Sequence, residues 1–384
     1  MTENLVYLDH AATGFPKPRR VLEEVDRCMK EYCGNAGRSS HALALAAAEK
    51  IYECREAAAE FLGCPSPENV IFTLNTTYAI NMLLKGILKK GDHVIISDME
   101  HNAVYRPIYR LAKDGIIEYS VFSTESLRER QGNAVCQSIA SLIQKNTRLV
   151  ICAHSSNICS LTLPLESIGK LCQRHGILFA VDAAQSAGHM DIDMSRLCID
   201  ALCAPSHKGL CGIQGAGLLV LRNSILLDTL VEGGNGMFSL EGNMTGELPE
   251  RMEAGTLPTP AIVGLLEGIK TVRARGCVAI GAHERFLFRE LRERLSMLDN
   301  VNVFLPKHEG AVLLFNVRGM DSEQVARLLA KDGICTRGGY HCAALAHKTL
   351  GTPEGGAVRV SFGYDNTLAD VDALYRSLKN MSAY

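Results

Sequence analysis

Apolar positions along this chain fall into two rhythms. Between residues 42 and 62, Leu43, Ala47, Ile51, Ala58 and Leu62 recur roughly on one helical face and predict an amphipathic helix. Beyond it, short apolar runs alternate with helical patterns. The runs Val70–Thr73, His93–Ser97, Ile117–Phe122, Leu149–Ala153, Leu178–Asp182 and Gly217–Leu221 predict strands. Segments near 77–89, 102–113, 134–145 and 164–175 predict the intervening helices. Strands that are apolar throughout and separated by helices indicate an α/β fold with a largely parallel sheet covered on both faces. Ligands of such sheets bind at the strands' carboxyl ends, where Thr73–Thr77, His101, Asn157 and Asp182 fall.

The rhythm changes after about residue 258, where Pro258 and Pro260 mark a junction. Helices near 260–274, 279–298, 321–331 and 367–380 then mix with strands Val301–Phe304, Ala311–Val317, Ile334–Thr336 and Val358–Phe362. This predicts a second, smaller α/β domain, in keeping with a 384-residue length.

Composition adds mainly exclusions. The chain is 47% hydrophobic and 21% charged with a net charge of −2, which gives no electrostatic footprint for nucleic acid or an anionic membrane. Met1–Leu5 carries no basic-then-apolar leader, and no uncharged apolar run approaches the roughly 20 residues of a membrane span. The expectation is a soluble, cytoplasmic protein. Its 14 cysteines contain no C-x-x-C pair, which argues against a zinc ribbon or a redox dithiol. Several sit in apolar surroundings, where a thiol acts as a small hydrophobe. No metal site is expected.

Asp182 closes an apolar strand, and Lys208 lies in Ser206-His207-Lys208-Gly209 with further glycines at 212, 215 and 217. Pyridoxal phosphate needs such a pair: a lysine for its Schiff base and a carboxylate to keep its pyridine nitrogen protonated. Alternatively, the two residues are unrelated. Thr73-Leu74-Asn75-Thr76-Thr77 opens a helix and suits an anion, or is a plain N-cap. No G-x-x-x-x-G-K-[ST] or G-x-G-x-x-G loop follows the first strand. His101 suits ring stacking and proton transfer near neutral pH, or is a loop histidine bound to backbone. Asn157 suits a phenolic oxygen, or a turn. In Arg337-Gly338-Gly339-Tyr340-His341-Cys342-Ala343 the positive neighbours favour a nucleophilic Cys342 thiolate, with a structural cysteine as the alternative. Arg359 suits bidentate capture of a carboxylate, or a surface ion pair.

Taken in order, several stretches resemble the class V branch of fold-type I pyridoxal phosphate enzymes, nearest to the cysteine desulfurase/selenocysteine lyase family. They are Tyr7-Leu8-Asp9-His10-Ala11-Ala12-Thr13, Thr76-Thr77 with Ala79-Ile80-Asn81, Glu100-His101, Val181-Asp182-Ala183-Ala184-Gln185, His207-Lys208, Glu253-Ala254-Gly255-Thr256 and Arg337-x-Gly-x-His341-Cys342. The resemblance implies a mainly parallel seven-stranded sheet in a large domain, residues 15–257, and a small domain made of 1–14 and 258–384. It implies that Lys208 holds the cofactor covalently, Asp182 pairs with the pyridine nitrogen and His101 stacks on the ring. Asn157 and Gln185 would contact the ring hydroxyl. Thr76, Thr77 and His207 would bind phosphate, with Thr256 reaching it from the partner subunit of a homodimer. Arg359, with Asn157 nearby, would hold the substrate carboxylate, and Cys342 would take sulfur from L-cysteine. L-selenocysteine lyase, class V aminotransferase and a non-catalytic scaffold are the alternatives on this fold.

Two features stand apart from the family pattern. Pro205 replaces a hydroxyl residue common in relatives, so either Ser206 supplies the phosphate donor or the phosphate has one donor fewer. The short stretch from Cys342 to Arg359 matches the compact-loop branch and implies an enclosed persulfide served by a dedicated acceptor protein or small thiols.

Overall fold

The computed structural model describes residues 5–37, 40–128, 132–222, 225–234, 239–305, 307–352 and 354–381. Residues 1–4, which carry most of the reading on a leader, lie outside them. A short strand β1 (Val6–Tyr7) is followed by β2 (Val70–Thr73), β3 (Asp92–Ser97), β4 (Ile117–Phe122), β5 (Thr147–Ala153), β6 (Leu178–Asp182), β7 (Ala201–Pro205) and β8 (Gly217–Leu221). Strands β2 to β8 form one sheet in the order β2-β8-β7-β6-β5-β3-β4. Only β8 runs against its neighbours, β2 and β7; the other pairings are parallel. β7 left no strand signal: Ala-Leu-Cys-Ala-Pro is alanine-rich, has no β-branched residue and ends in proline, a weak strand former. Full burial between β6 and β8 makes it a strand. It delivers Ser206, His207 and Lys208 to the sheet's edge.

Helices cover both faces, as two-sided burial requires. They are α1 (Arg19–Arg27), α2 (Ala42–Leu62), α3 (Thr76–Ile87), α4 (Asn102–Lys113), α5 (Glu125–Arg128), α6 (Gly132–Leu142), α7 (Leu165–His175) and α8 (Thr259–Arg275). On one face Val150, Phe179 and Leu218 pack with residues of α2, α6, α7 and α8. On the other, Leu149, Ile151 and Leu219 meet Ile80, Leu83 and Val104 of α3 and α4. Adjacent residues of β5 thus point to opposite cores, as the pleat demands. The buried face of α2 starts at Ala44 and continues through Ala47, Ile51, Cys54, Ala58 and Leu62. Leu43, expected on that face, is exposed, because the three-and-four spacing that runs inward begins one residue later.

The remaining elements are α9 (Cys277–Leu295), β9 (Val301–Phe304), β10 (Val312–Val317), α10 (Ser322–Lys331), β11 (Ile334–Cys335), α11 (Ala344–Thr349), β12 (Val358–Ser361) and α12 (Leu368–Met381). β12, β10 and β9 form an antiparallel sheet, and β11 pairs in parallel with β1. Leu8 joins Phe288, Leu291, Phe315, Val360, Phe362 and Leu374 in a separate core. Asp9 bridges to Ser361, which stitches the chain's first described residues into this sheet. Among the described residues, no helix is long and apolar enough to cross a membrane.

Candidate active site

A cavity of about 100 Å³ opens at the carboxyl end of the central sheet. Thr76 and Thr77 reach it from the start of α3, His101 from before α4, and Asn157 from after β5. Asp182 and Gln185 follow β6, and His207 and Lys208 follow β7. These residues, scattered over the sequence, meet because successive strands end side by side.

One end of the cavity is built for an anion. Asn75 Oδ1 accepts the Tyr78 N–H at 2.9 Å and caps α3, so the threonine hydroxyls are left for other partners. Thr76 Oγ1 is buried and without a partner. Gly217 permits this arrangement, since a Cβ there would collide with the Asn75 backbone at 2.7–2.8 Å. His207 Nδ1 lies 3.0 Å from Thr13 Oγ1. Burial, then Lys208 and Lys17, push this imidazole down to about 4, so it meets a ligand in its neutral form.

Ser206 does not line the cavity, and Thr256, expected to act from a partner subunit, lies outside the cavity of its own chain. Ser206 is fully buried with an unpartnered Oγ that lies against Gly212, while Pro205 takes the lining position. Thr256 is exposed in a separate groove with Leu74, Tyr78 and Met252.

The other end surrounds Lys208. Asp182 Oδ1 accepts the Ala184 N–H at 2.9 Å. Burial raises its carboxyl, with Ala184 and Lys208 opposing. The Lys208 amine makes no hydrogen bond or ion pair with the described residues. Burial lowers it to about 8, opposed chiefly by Asp182. It is therefore a nucleophile or base at modest pH. Gln185 donates to the Ala11 carbonyl at 2.9 Å.

His101 Nδ1 accepts the Ala103 N–H at 3.0 Å and caps α4. Burial first, and then Lys208, Arg359 and Arg106, lower it to about 4. It is a neutral ring with its proton on Nε2, and its titration lies well below the neutral range expected from sequence.

Glu100 went unassigned in the sequence. Its fully buried carboxyl accepts the Ala153 N–H at 3.1 Å and a bond from the Ser97 hydroxyl. Burial raises it to about 8, with Asp182 adding to the rise.

Arg359 and Cys342 approach from the C-terminal sheet but do not line the cavity. Arg359 is 3% exposed. It donates to Asp9 Oδ1 at 2.7 Å and the Asn157 carbonyl at 3.0 Å, and its Nε–H is unpartnered. Asp9 Oδ2 takes Arg337 at 2.9 Å. Asp9 thus holds both arginines, a role legible only as an acid after an apolar run. Arg337 is paired with Asp9, and burial drives His341 down to about 3, so the imidazole expected to be positive beside Cys342 is neutral. Cys342 is exposed rather than enclosed. Its turn docks through backbone carbonyls: Asn157 Nδ2 donates to His341 O at 2.7 Å, and the Asn102 N–H donates to Cys342 O at 2.7 Å. Asn157 thereby spends one amide proton on the loop.

The donors fit pyridoxal phosphate. An unpaired lysine, a carboxylate with a free second oxygen and an orphaned hydroxyl at a helix N-terminus answer its aldehyde, ring nitrogen and phosphate. Among the described residues no cluster of three or more His, Cys, Asp or Glu is arranged to hold a metal.

Known proteins resemble this chain over nearly its whole length. Residues 6–374 match the family model for class V aminotransferases. A probable cysteine desulfurase of Methanothermobacter thermautotrophicus is 33% identical, over 98% of this chain and 94% of that protein. A cysteine desulfurase of Salmonella agona is 30% identical, over 97% and 92%. The solved apo structure of a cysteine desulfurase from Thermococcus onnurineus NA1 superposes with a TM-score of 0.89 at 30% identity, covering 99% of this chain and 95% of that one. The chain belongs to the class V aminotransferase family, whose cofactor is pyridoxal 5'-phosphate.

Proposed function

We propose that this family member is a cysteine desulfurase, which removes sulfur from L-cysteine to give L-alanine and a persulfide on Cys342. The observation that carries the reading is one neighbourhood: the Lys208 cavity, and a cysteine turn docked on Asn102 and Asn157 at its rim. Relatives that bear the desulfurase name over nearly the whole chain support it.

Pyridoxal phosphate, when bound, supplies a sink for the negative charge left at the substrate Cα. Lys208 would hold it covalently and Asp182 would face its ring nitrogen. Thr76, Thr77 and His207 would take its phosphate, with Ser206 behind them. His101 would stack on the ring and Gln185 would meet the ring hydroxyl. The spare N–H groups of Arg359, beside Asn157, would take the substrate carboxylate. The neutral Lys208 amine then removes the Cα proton. Cys342 thiolate attacks the substrate sulfur: the S–S bond forms as the Cβ–S bond breaks, and the bonding pair stays on carbon. That carbon gains a proton and leaves as alanine.

In this reading residues 15–257 hold the cofactor, and 1–14 with 258–384 carry Cys342 and Arg359. A homodimer would bring Thr256 to the partner's phosphate, and a sulfur-acceptor protein or small thiol would discharge the persulfide. Fourteen free cysteines suit the reducing cytoplasm. The test is alanine release from L-cysteine and L-selenocysteine by the protein and by Cys342→Ala. Persulfide-dependent alanine from cysteine supports the assignment. No alanine from cysteine, or desulfuration undiminished in Cys342→Ala, refutes it.

A further inference from the structure

Behind the Cys342 turn lie two imidazoles that desulfuration leaves unused. His341 and His347 stack with centroids 5.5 Å apart and planes 20° apart, and His341 Nδ1 lies 3.3 Å from His347 Nε2. His341 Nε2 is 3.0 Å from the Arg337 carbonyl, and His347 Nδ1 is 2.8 Å from Thr352 Oγ1. The Arg337 carbonyl sets the direction of the line. A carbonyl only accepts, so His341 carries its hydrogen on Nε2, and its Nδ1 must accept from His347 Nε2–H. The Thr352 hydroxyl has two acceptors in reach, the His347 carbonyl at 3.4 Å and, at a shorter 2.8 Å, His347 Nδ1, which it serves in this line. One line of donors runs from Thr352 through both rings to Arg337.

The line is sheltered. His347 is 1% exposed and Thr352 5%. Tyr340 stands edge-on to His347 at 5.6 Å, and its hydroxyl accepts the Gly355 N–H at 3.2 Å. By joining Arg337 to His341, the line closes the turn that presents the thiol. That turn needs closing. His341 and Cys342 have φ of 51° and 54°, a left-handed geometry that non-glycine residues keep only where their surroundings impose it. Asn157 and Asn102 hold its carbonyls on one side, and His347 backs its side chain on the other.

We infer that His347, oriented by Thr352, is a positioning residue for sulfur transfer: through His341 it holds the Cys342 turn in its left-handed form and sets the thiol's approach to the substrate. The inference rests on Cys342 as the sulfur acceptor. Its test uses the cofactor-loaded protein with His347→Leu, which keeps bulk without a donor, His347→Gln, which restores an N–H near Nε2, and Thr352→Val. Three rates are compared: alkylation of Cys342 by iodoacetamide without substrate, persulfide formation in a single turnover with L-cysteine, and Cα hydrogen exchange of L-alanine in D2O. The last needs Lys208 but not the thiol.

His347→Leu should slow persulfide formation about tenfold, as loss of a buried hydrogen bond implies, and alter the alkylation rate, with alanine exchange unchanged. His347→Gln should recover most of the loss, and Thr352→Val should fall between. Unaltered alkylation and persulfide rates in His347→Leu and Thr352→Val would overturn the assignment. So would equal losses in alanine exchange, which mark a general structural role. If the unaltered protein exchanges alanine yet forms no persulfide, the desulfurase reading falls. The alkylation rates then still decide whether His347 poises the turn.

Discussion

Asp9 pairs with two arginines at once, and one of them, Arg359, is almost wholly buried. Removing that charge strands a buried cation, which typically costs about 3–5 kcal/mol. Asp9→Asn should therefore lower the unfolding free energy in urea, and a carboxylate ligand such as L-alanine should recover part of the loss. Glu100 makes a pH prediction. Its folded value of about 8 stands above the ordinary 4.5, so its contribution is complete below 4.5 and is lost as pH rises through about 8. Between about pH 5 and about pH 9 the melting temperature of Glu100→Gln should fall less than that of the unaltered protein. Lys208 gives the opposite dependence in binding. With its amine held at about 8, cofactor loading of the apoprotein, followed by absorbance, should accelerate as pH rises towards that value. Lys208→Ala should remain colourless.

At the scale of elements, the buried Glu253 carboxylate ties three pieces together. It accepts the Phe72 N–H of β2 at 2.7 Å, pairs with Arg55 of α2, and anchors the stretch leading to Thr256. Glu253→Gln should destabilise the fold by about 3–5 kcal/mol in denaturant titration, because Arg55 is left as an unpaired buried charge. The strands read from sequence were those whose runs carry large or β-branched apolar residues, such as Leu149–Ala153 and Leu178–Asp182. β7 escaped because its strand character comes from its neighbours, not from Ala-Leu-Cys-Ala-Pro itself. Local periodicity also located helices near 77–89 and 102–113, whose caps in the structure are Asn75 and His101. The inward turn of Ser206 depends on close packing against Gly212, which no local pattern reports.

At the scale of the molecule, the two sheets meet along a seam of Asp9, Asn157, Arg359 and the His341–Cys342 backbone. Its members are separated by up to 350 positions in the chain. Sequence reasoning named Asn157, Cys342 and Arg359 from their local settings and the family resemblance, but not their mutual contacts, since pairings at such separations leave no periodic trace. If the homodimer forms as proposed, Thr256→Ala should weaken cofactor retention. Mixing Lys208→Ala subunits with Thr256→Ala subunits should restore one complete site per dimer, scored by equilibrium dialysis. The same seam has a kinetic corollary. A sulfur donor moored by its own backbone at Asn102 and Asn157, yet exposed to solvent, has no arm to swing before it reacts. Discharge to a small thiol should then be a simple collision, with a rate that climbs in proportion to acceptor concentration and shows no plateau from a preceding conformational step.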